Sequence, residues 1–273
     1  MSRSLLLFVL VVPSLAADDD KPMIPAGMLT VQKGELPIIV SAPHGGRKPI
    51  PNCPERKGKG IPKFATVNDT NTDELAKKVL AAIEKKMHAK PYGVVAHFER
   101  KYADVNRSLA DGVESDAAKP YYEAYHAFLK ESRAAVQKDW GRGLLIDLHG
   151  HGGDAVTIFR GTNDGKTVQH LVDRFGKTAF TGEKSVLGQL AAHGYTISPA
   201  NTARERENPA FGGGYIVATY GSKADGSVDA IQLELGARVR SRANADTFAT
   251  DLAAAVAVFA AEYLPAKKAQ SEP

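Results

Sequence analysis

The segment GLLIDLHG, residues 143–150, constrains the fold more than any other stretch of this chain. It is nearly continuously apolar, without the polar alternation of a half-buried strand, so it reads as a strand covered on both faces. Strands of that kind belong to parallel sheets flanked by helices. The run ends in His149-Gly150-His151-Gly152-Gly153, so its carboxyl end delivers two imidazoles where the backbone starts to break up.

The rest of the chain alternates between the two periodicities. MLTVQKGELPIIVSAPHGG reads as two strands joined at Lys33-Gly34, the second ending at Pro43-His44. TDELAKKVLAAIEKKM places Leu75, Val79, Ala82, Ile83 and Met87 at helical spacing, with Asn71 as cap and Glu74 three residues on in a capping-box pattern. YGVVAHFER is a strand, PYYEAYHAFLKESRAAVQKDW a long helix and VTIFRGT a further strand. Helical patterns follow at 168–180 and 184–193, then a short strand in YTISP. GGGYIVATYG and VDAIQLELG read as a strand pair, and ADTFATDLAAAVAVFAAEYL as the closing helix. Strands alternating with helices predict an α/β three-layer sandwich around a mostly parallel mixed sheet.

At the amino terminus, Arg3, the apolar run Leu5–Val12 and the small residues Ser14 to Ala16 have the layout of a signal peptide. The apolar run is too short to span a bilayer. The expected organisation is therefore a signal peptide at 1–16, a disordered lead-in at 17–26, a single catalytic domain at 27–264 and a frayed tail at 265–273. The mature protein is expected to be exported, periplasmic or secreted, with no stable membrane insertion. Cys53 is the only cysteine, so no internal disulfide can form. The net charge of +4 is scattered, without a basic tract and interleaved aromatics, which argues against a nucleic-acid partner.

In such sheets ligands gather at the carboxyl ends of the strands. Those ends carry His44; Arg100, Asp104, Asn106 and Arg107; Asp147, His149 and His151; and Gln232 and Glu234. Asp69, Asp73 and Glu74 lie at a helix start. The glycines after His44 permit close backbone approach by a ligand. Glu234 sits between Leu233 and Leu235, where a carboxylate is costly unless it is functional or paired, with Arg238 or Arg240 as the candidate partners. Two imidazoles and one carboxylate form a catalytic zinc set with a coordination position left for water. Zinc lowers the pKa of such a water to about 7, and a separate carboxylate can move its proton. Cationic side chains can stabilise an oxyanion and clamp a substrate carboxylate.

The ordered set SAPHGG, TDELA, ERKYADVNR, DLHGHGG, GGGYIVATYG and AIQLELGAR resembles the N-formylglutamate amidohydrolase family over residues 38–262. It is more distantly similar to zinc carboxypeptidases and to the succinylglutamate desuccinylase and aspartoacylase group. The resemblance implies a carboxypeptidase-like fold with one catalytic zinc per chain, held by His44, Glu74 and His149. It implies Glu234 as general base and Arg100 at the oxyanion. Asn106 and Arg107 would hold a substrate carboxylate, Gly213 and Tyr215 would cover the substrate, and His151 would stand in the pocket wall. The chain departs from the carboxypeptidase pattern at Arg47, where a second ligand would stand, and this leaves Asp69 or Asp73 open as the carboxylate ligand.

The implied activity is hydrolysis of a linear amide bond in a small carboxylate-bearing substrate, N-formylglutamate or another N-acyl amino acid. The alternatives are an exported metallo-carboxypeptidase or amidase acting on peptides, γ-glutamyl polymers or cell-wall fragments, and a non-catalytic metal- or carboxylate-binding protein.

Overall fold

A computed structural model describes residues 24–222 and 228–268. Its strands are β1 (Leu29–Gln32), β2 (Ile38–Ala42), β3 (Tyr92–Ala96), β4 (Gly143–Gly150), β5 (Thr157–Gly161), β6 (Thr196–Ser198) and β7 (Val228–Leu235). The α-helices are α1 (Thr72–Met87), α2 (Leu109–Gly112), α3 (Lys119–Asp139), α4 (Gln169–Phe175), α5 (Thr178–Thr181), α6 (Val186–Ala192), α7 (Tyr215–Tyr220) and α8 (Ala245–Tyr263). The strands form one seven-stranded sheet in the order β1-β3-β2-β4-β7-β5-β6. Four of its six pairings are parallel; β1 with β3 and β5 with β7 are antiparallel.

The helices cover both faces, as the buried strand at 143–150 requires. On one face Leu144, Ile146 and Leu148 of β4 pack with Leu75, Val79 and Ile83 of α1 and Phe248, Leu252 and Phe259 of α8. On the other, Leu145 packs with Tyr125 and Leu129 of α3 and Ile216 and Val217 of α7. This is the expected α/β three-layer sandwich with a mostly parallel mixed sheet. The second face also carries the chemistry. Ser41 stands opposite Asp147, Asp147 opposite Gln232, and His149 opposite Glu234. Strand alternation keeps that whole row on one face at the carboxyl end of the sheet.

Several local expectations are corrected. GGGYIVATYG contains helix α7 rather than a strand. β7 already has β4 on one side and β5 on the other, so no edge remains for another partner. The two strands joined at Lys33-Gly34 are present as β1 and β2, and β3 lies between them in the sheet. The helical pattern at 168–180 is broken at Gly176, whose φ of 80° separates α4 from α5. Asn71 adopts a left-handed conformation without capping α1 through its side chain; the Asn71 amide donates instead to the Arg240 carbonyl.

The leader at 1–16, most of the lead-in and the end of the tail lie outside the described residues. Among the described residues no helix is long and apolar enough to cross a membrane.

Candidate metal centre

His44, Asp69 and His149 converge where β2 and β4 end, each offering one ligand atom, all within 4.8 Å of one another. Asp69 Oδ2 lies 3.1 Å from His149 Nδ1 and 3.4 Å from His44 Nδ1. Asp69 reaches this position because its backbone nitrogen donates to the His44 carbonyl and its Oδ2 accepts from the Gly150 nitrogen. The glycines of SAPHGG serve chain packing: a Cβ on Gly45 would overlap the Asp73 backbone at the start of α1.

The far nitrogen of each imidazole is backed by a buried carboxylate. His44 Nε2 bonds Asp104 Oδ1 at 2.7 Å, and His149 Nε2 bonds Asp147 Oδ2 at 2.8 Å. Asp147 in turn accepts the Ser41 hydroxyl at 2.6 Å. With Nε2–H donating outward, both Nδ1 atoms face inward beside Asp69, and once free of a proton they are the atoms that would bind a metal. His44 Nδ1 is buried and has no hydrogen-bond partner among the described residues. A buried acceptor of that kind is costly unless something binds it. The donor set of two imidazoles and a carboxylate fits a divalent metal of the zinc class.

Asp104 is the hub of the surrounding charges. Fully buried, it meets Arg100 Nη2 at 2.8 Å, Arg107 Nε at 3.3 Å and Arg56 Nη2 at 3.4 Å. Burial would raise its pKa, but His44 and Arg100 outweigh that and hold it well below the usual carboxylate range. Burial acts likewise on Asp69, and the neighbouring His149 and His44 imidazoles hold its carboxyl low. Burial would lower the His149 pKa; Asp147 overrides this and raises it well above the ordinary value. Glu234 behaves differently. Burial pushes its pKa up to about 6, against the opposing pull of His149.

Above these groups opens a cavity of about 610 Å³. Arg100, Asn106, Arg107, Gly213, Tyr215 and Glu234 line it together with His44, Asp69 and His149. Arg100 is anchored on Asp104, with Nη1 3.7 Å from Asp69 Oδ1. Asn106 Oδ1 accepts the Ile216 nitrogen and its Nδ2 lies 3.2 Å from His149 Nε2, so its amide joins α7 to the centre. Arg107 is largely engaged: Nη1 and Nη2 donate to the Pro62 and Lys63 carbonyls and hold the 51–68 loop over the cavity. Gly213 has φ of 116°, which only glycine adopts without strain, and lies where the chain turns into α7. Among the described residues the ion-pair contact of Glu234 is His149 Nδ1, at 4.0 Å. Arg240 does not pair with it, because its three nitrogens donate to the Leu235, Thr70 and His151 carbonyls.

Two expected site residues stand elsewhere. Glu74 is on the solvent side of α1, its side chain 61 % exposed and paired with Lys77 at 2.6 Å. The first turn of the helix points it away from the imidazoles, and Asp69, three residues before the helix begins, occupies the carboxylate position instead. Asp73, the other alternative, faces His97. His151 is not in the cavity wall. It lies behind Phe211 and Phe159, with Nε2 on the Thr157 carbonyl and Nδ1 accepting the Gly153 nitrogen. Its role is to hold the turn after β4. Sequence reasoning missed Arg56, whose buried guanidinium donates to the Arg100 and Ala65 carbonyls. No motif in PERKGKG announces that contact.

No model of a known protein family matches the sequence, and no curated protein matches it. Solved structures do match. An N-formylglutamate amidohydrolase from Ralstonia eutropha superposes with a TM-score of 0.61 at 20% identity, over 86% of this chain and 97% of that one. The two chains share a fold. A gene product of Agrobacterium tumefaciens follows with a TM-score of 0.54 at 13% identity, over 86% of this chain and 95% of its own. The fold expected from the ordered motifs is thus the fold found.

Proposed function

We propose that the protein is a metal-dependent hydrolase, of the zinc type, that cleaves a linear amide bond in a small carboxylate-bearing substrate such as N-formylglutamate or another N-acyl amino acid. The observation that carries this reading is the pair of inward Nδ1 atoms beside Asp69 Oδ2, each imidazole backed by its own buried carboxylate. His44, Asp69 and His149 would hold one ion. When bound, it supplies Lewis-acid polarisation of a carbonyl and a more acidic water.

The other residues divide the remaining work. Glu234, with a pKa of about 6, is poised to take a proton from the attacking water and return it to the leaving nitrogen. Gln232 Nε2 donates to its Oε1 at 2.9 Å and fixes the carboxylate, leaving Oε2 for the proton. Arg100, held in place by Asp104, puts positive charge beside the developing oxyanion. Asn106, Tyr215 and the cavity-facing edge of Arg107 receive the carboxylate-bearing part of the substrate.

A second reading, an amidase for short peptides or cell-wall fragments, is favoured by the cavity volume of about 610 Å³. That space suits ligands well larger than a formylated amino acid. Assaying the protein on N-formylglutamate beside short acidic peptides separates the two. In either case Glu234→Gln should keep its metal and lose turnover by about 10²–10⁴-fold. Full activity in that variant overturns the mechanism.

A further inference from the structure

The face of the sheet away from the metal centre carries a second polar cavity. On β5, Phe159 stands opposite Glu234 and Arg160 opposite Leu233, so Arg160 projects to the face that β7 shares with α1 and α8. Arg160 is only 8 % exposed. Its guanidinium lies over the Phe180 ring, with Cζ 5.1 Å from the centroid. Glu207 Oε1 is its ion-pair partner, 3.6 Å from Nε and just beyond hydrogen-bond reach. Nε and Nη1 have no hydrogen-bond partner among the described residues.

Glu207 is not free to close that gap. Its Oε2 accepts from the Thr162 and Asp164 nitrogens at 2.8 and 3.0 Å, and its Oε1 from the Thr162 hydroxyl at 2.5 Å. A buried guanidinium with open donors is expensive, and its planar fork matches an oxyanion.

Arg160 lines a cavity of about 840 Å³, and Lys177, Arg204 and Arg206 line it too. The acidic groups on the same wall are Asp164, Glu205 and Glu207. Asp164 Oδ1 accepts the Glu207 nitrogen, so two of these three carboxylates are already committed to backbone donors. The cavity shares no lining residue with the one above the metal centre.

We propose that this cavity is an anion-binding site, in which a phosphate or carboxylate group is held from the rim by Lys177 and Arg204 against the wall in which the Arg160 guanidinium is buried. The site is independent of the hydrolase reading, since none of its residues reaches the metal centre. The anion comes either as a free inorganic oxyanion or as the carboxylate of an organic acid.

Titration calorimetry on the full chain, with inorganic phosphate and succinate in separate arms, tests the proposal. Saturable binding of either is expected, with phosphate alone pointing to an inorganic ligand and succinate alone to an organic acid. The Lys177→Ala/Arg204→Ala double variant, changed only at the exposed rim, should weaken binding about tenfold. Arg160→Met should abolish it, and the rim variant keeps the test decisive if Arg160→Met fails to fold. Binding lost in His44→Ala belongs to the metal centre, and the component that the rim variant weakens should persist in it. Absence of saturable binding in both arms overturns the proposal, as does saturable binding in His44→Ala that the rim substitutions leave unchanged.

Discussion

Replacing Asp147 by Asn probes the architecture of the centre without touching a ligand atom. Asp147 is fully buried and makes two short bonds, accepting the Ser41 hydroxyl at 2.6 Å and the His149 imidazole at 2.8 Å. Asn has the same shape, and Ser41 can turn its hydroxyl to accept from the new amide, so the packing survives. What disappears is the negative charge behind His149. That charge keeps the proton on Nε2 and makes Nδ1 a stronger donor to a metal. Removing a carboxylate in this position typically costs about 10–100-fold in metal affinity, or about 1.4–2.7 kcal/mol. Competition against a chromophoric chelator reads the affinity, and thermal unfolding without metal checks that the fold is intact. An affinity within about threefold of the native protein, with the fold intact, would refute the carboxylate-backed arrangement.

Asp104→Asn should be more damaging, since it leaves Arg56, Arg100 and Arg107 around a neutral side chain. A loss of about 3–5 kcal/mol is expected in denaturant unfolding, and a change below about 1 kcal/mol would contradict the hub role. His126 gives a pH signature. It is buried with Nδ1 on the Tyr220 hydroxyl and Nε2 on the Val105 carbonyl, and burial lowers its pKa to about 4. The unfolded chain binds that proton near pH 6.5, so stability is full above about 6.5 and falls by about 3 kcal/mol as pH drops towards 4. His126→Gln should flatten this limb in unfolding curves measured between those pH values; an unchanged limb would assign the effect elsewhere. The depressed carboxyls of Asp69 and Asp104 act lower on the scale, with their stabilisation present above about pH 4 and lost as pH falls further.

The layered fold was legible because the signal is one of period. An apolar run at 143–150 and helical spacing at 75–87 leave few ways to arrange strands and helices. GGGYIVATYG misled because a short apolar run fits strand or helix equally, and only the crowding of β7 between β4 and β5 decides it. Among candidate site residues, those on the sheet could be grouped from the sequence because strand registers place them. His149 and Glu234 are cross-strand partners, and His44 comes just past the end of β2, after Pro43. The carboxylate ligand was not fixed in the same way. Asp69, Asp73 and Glu74 lie within six positions, and the path of the 51–68 loop into α1 selects among them. That path depends on the Asp69 nitrogen reaching the His44 carbonyl, a contact with no local sequence mark. His151 shows the opposite failure: spacing put it beside His149, but β4 ends at Gly150 and the ring turns to the Thr157 carbonyl.

The central claim is that His44, Asp69 and His149 form a metal centre with Asp69, not Glu74, as the carboxylate. Elemental analysis of the purified native chain and of Asp69→Ala and Glu74→Ala variants tests it most directly. About one zinc-type ion per chain is expected in the native protein and in Glu74→Ala, with loss from Asp69→Ala. Metal retained in Asp69→Ala and lost from Glu74→Ala, or no metal in the native chain even after incubation with zinc, would contradict the account.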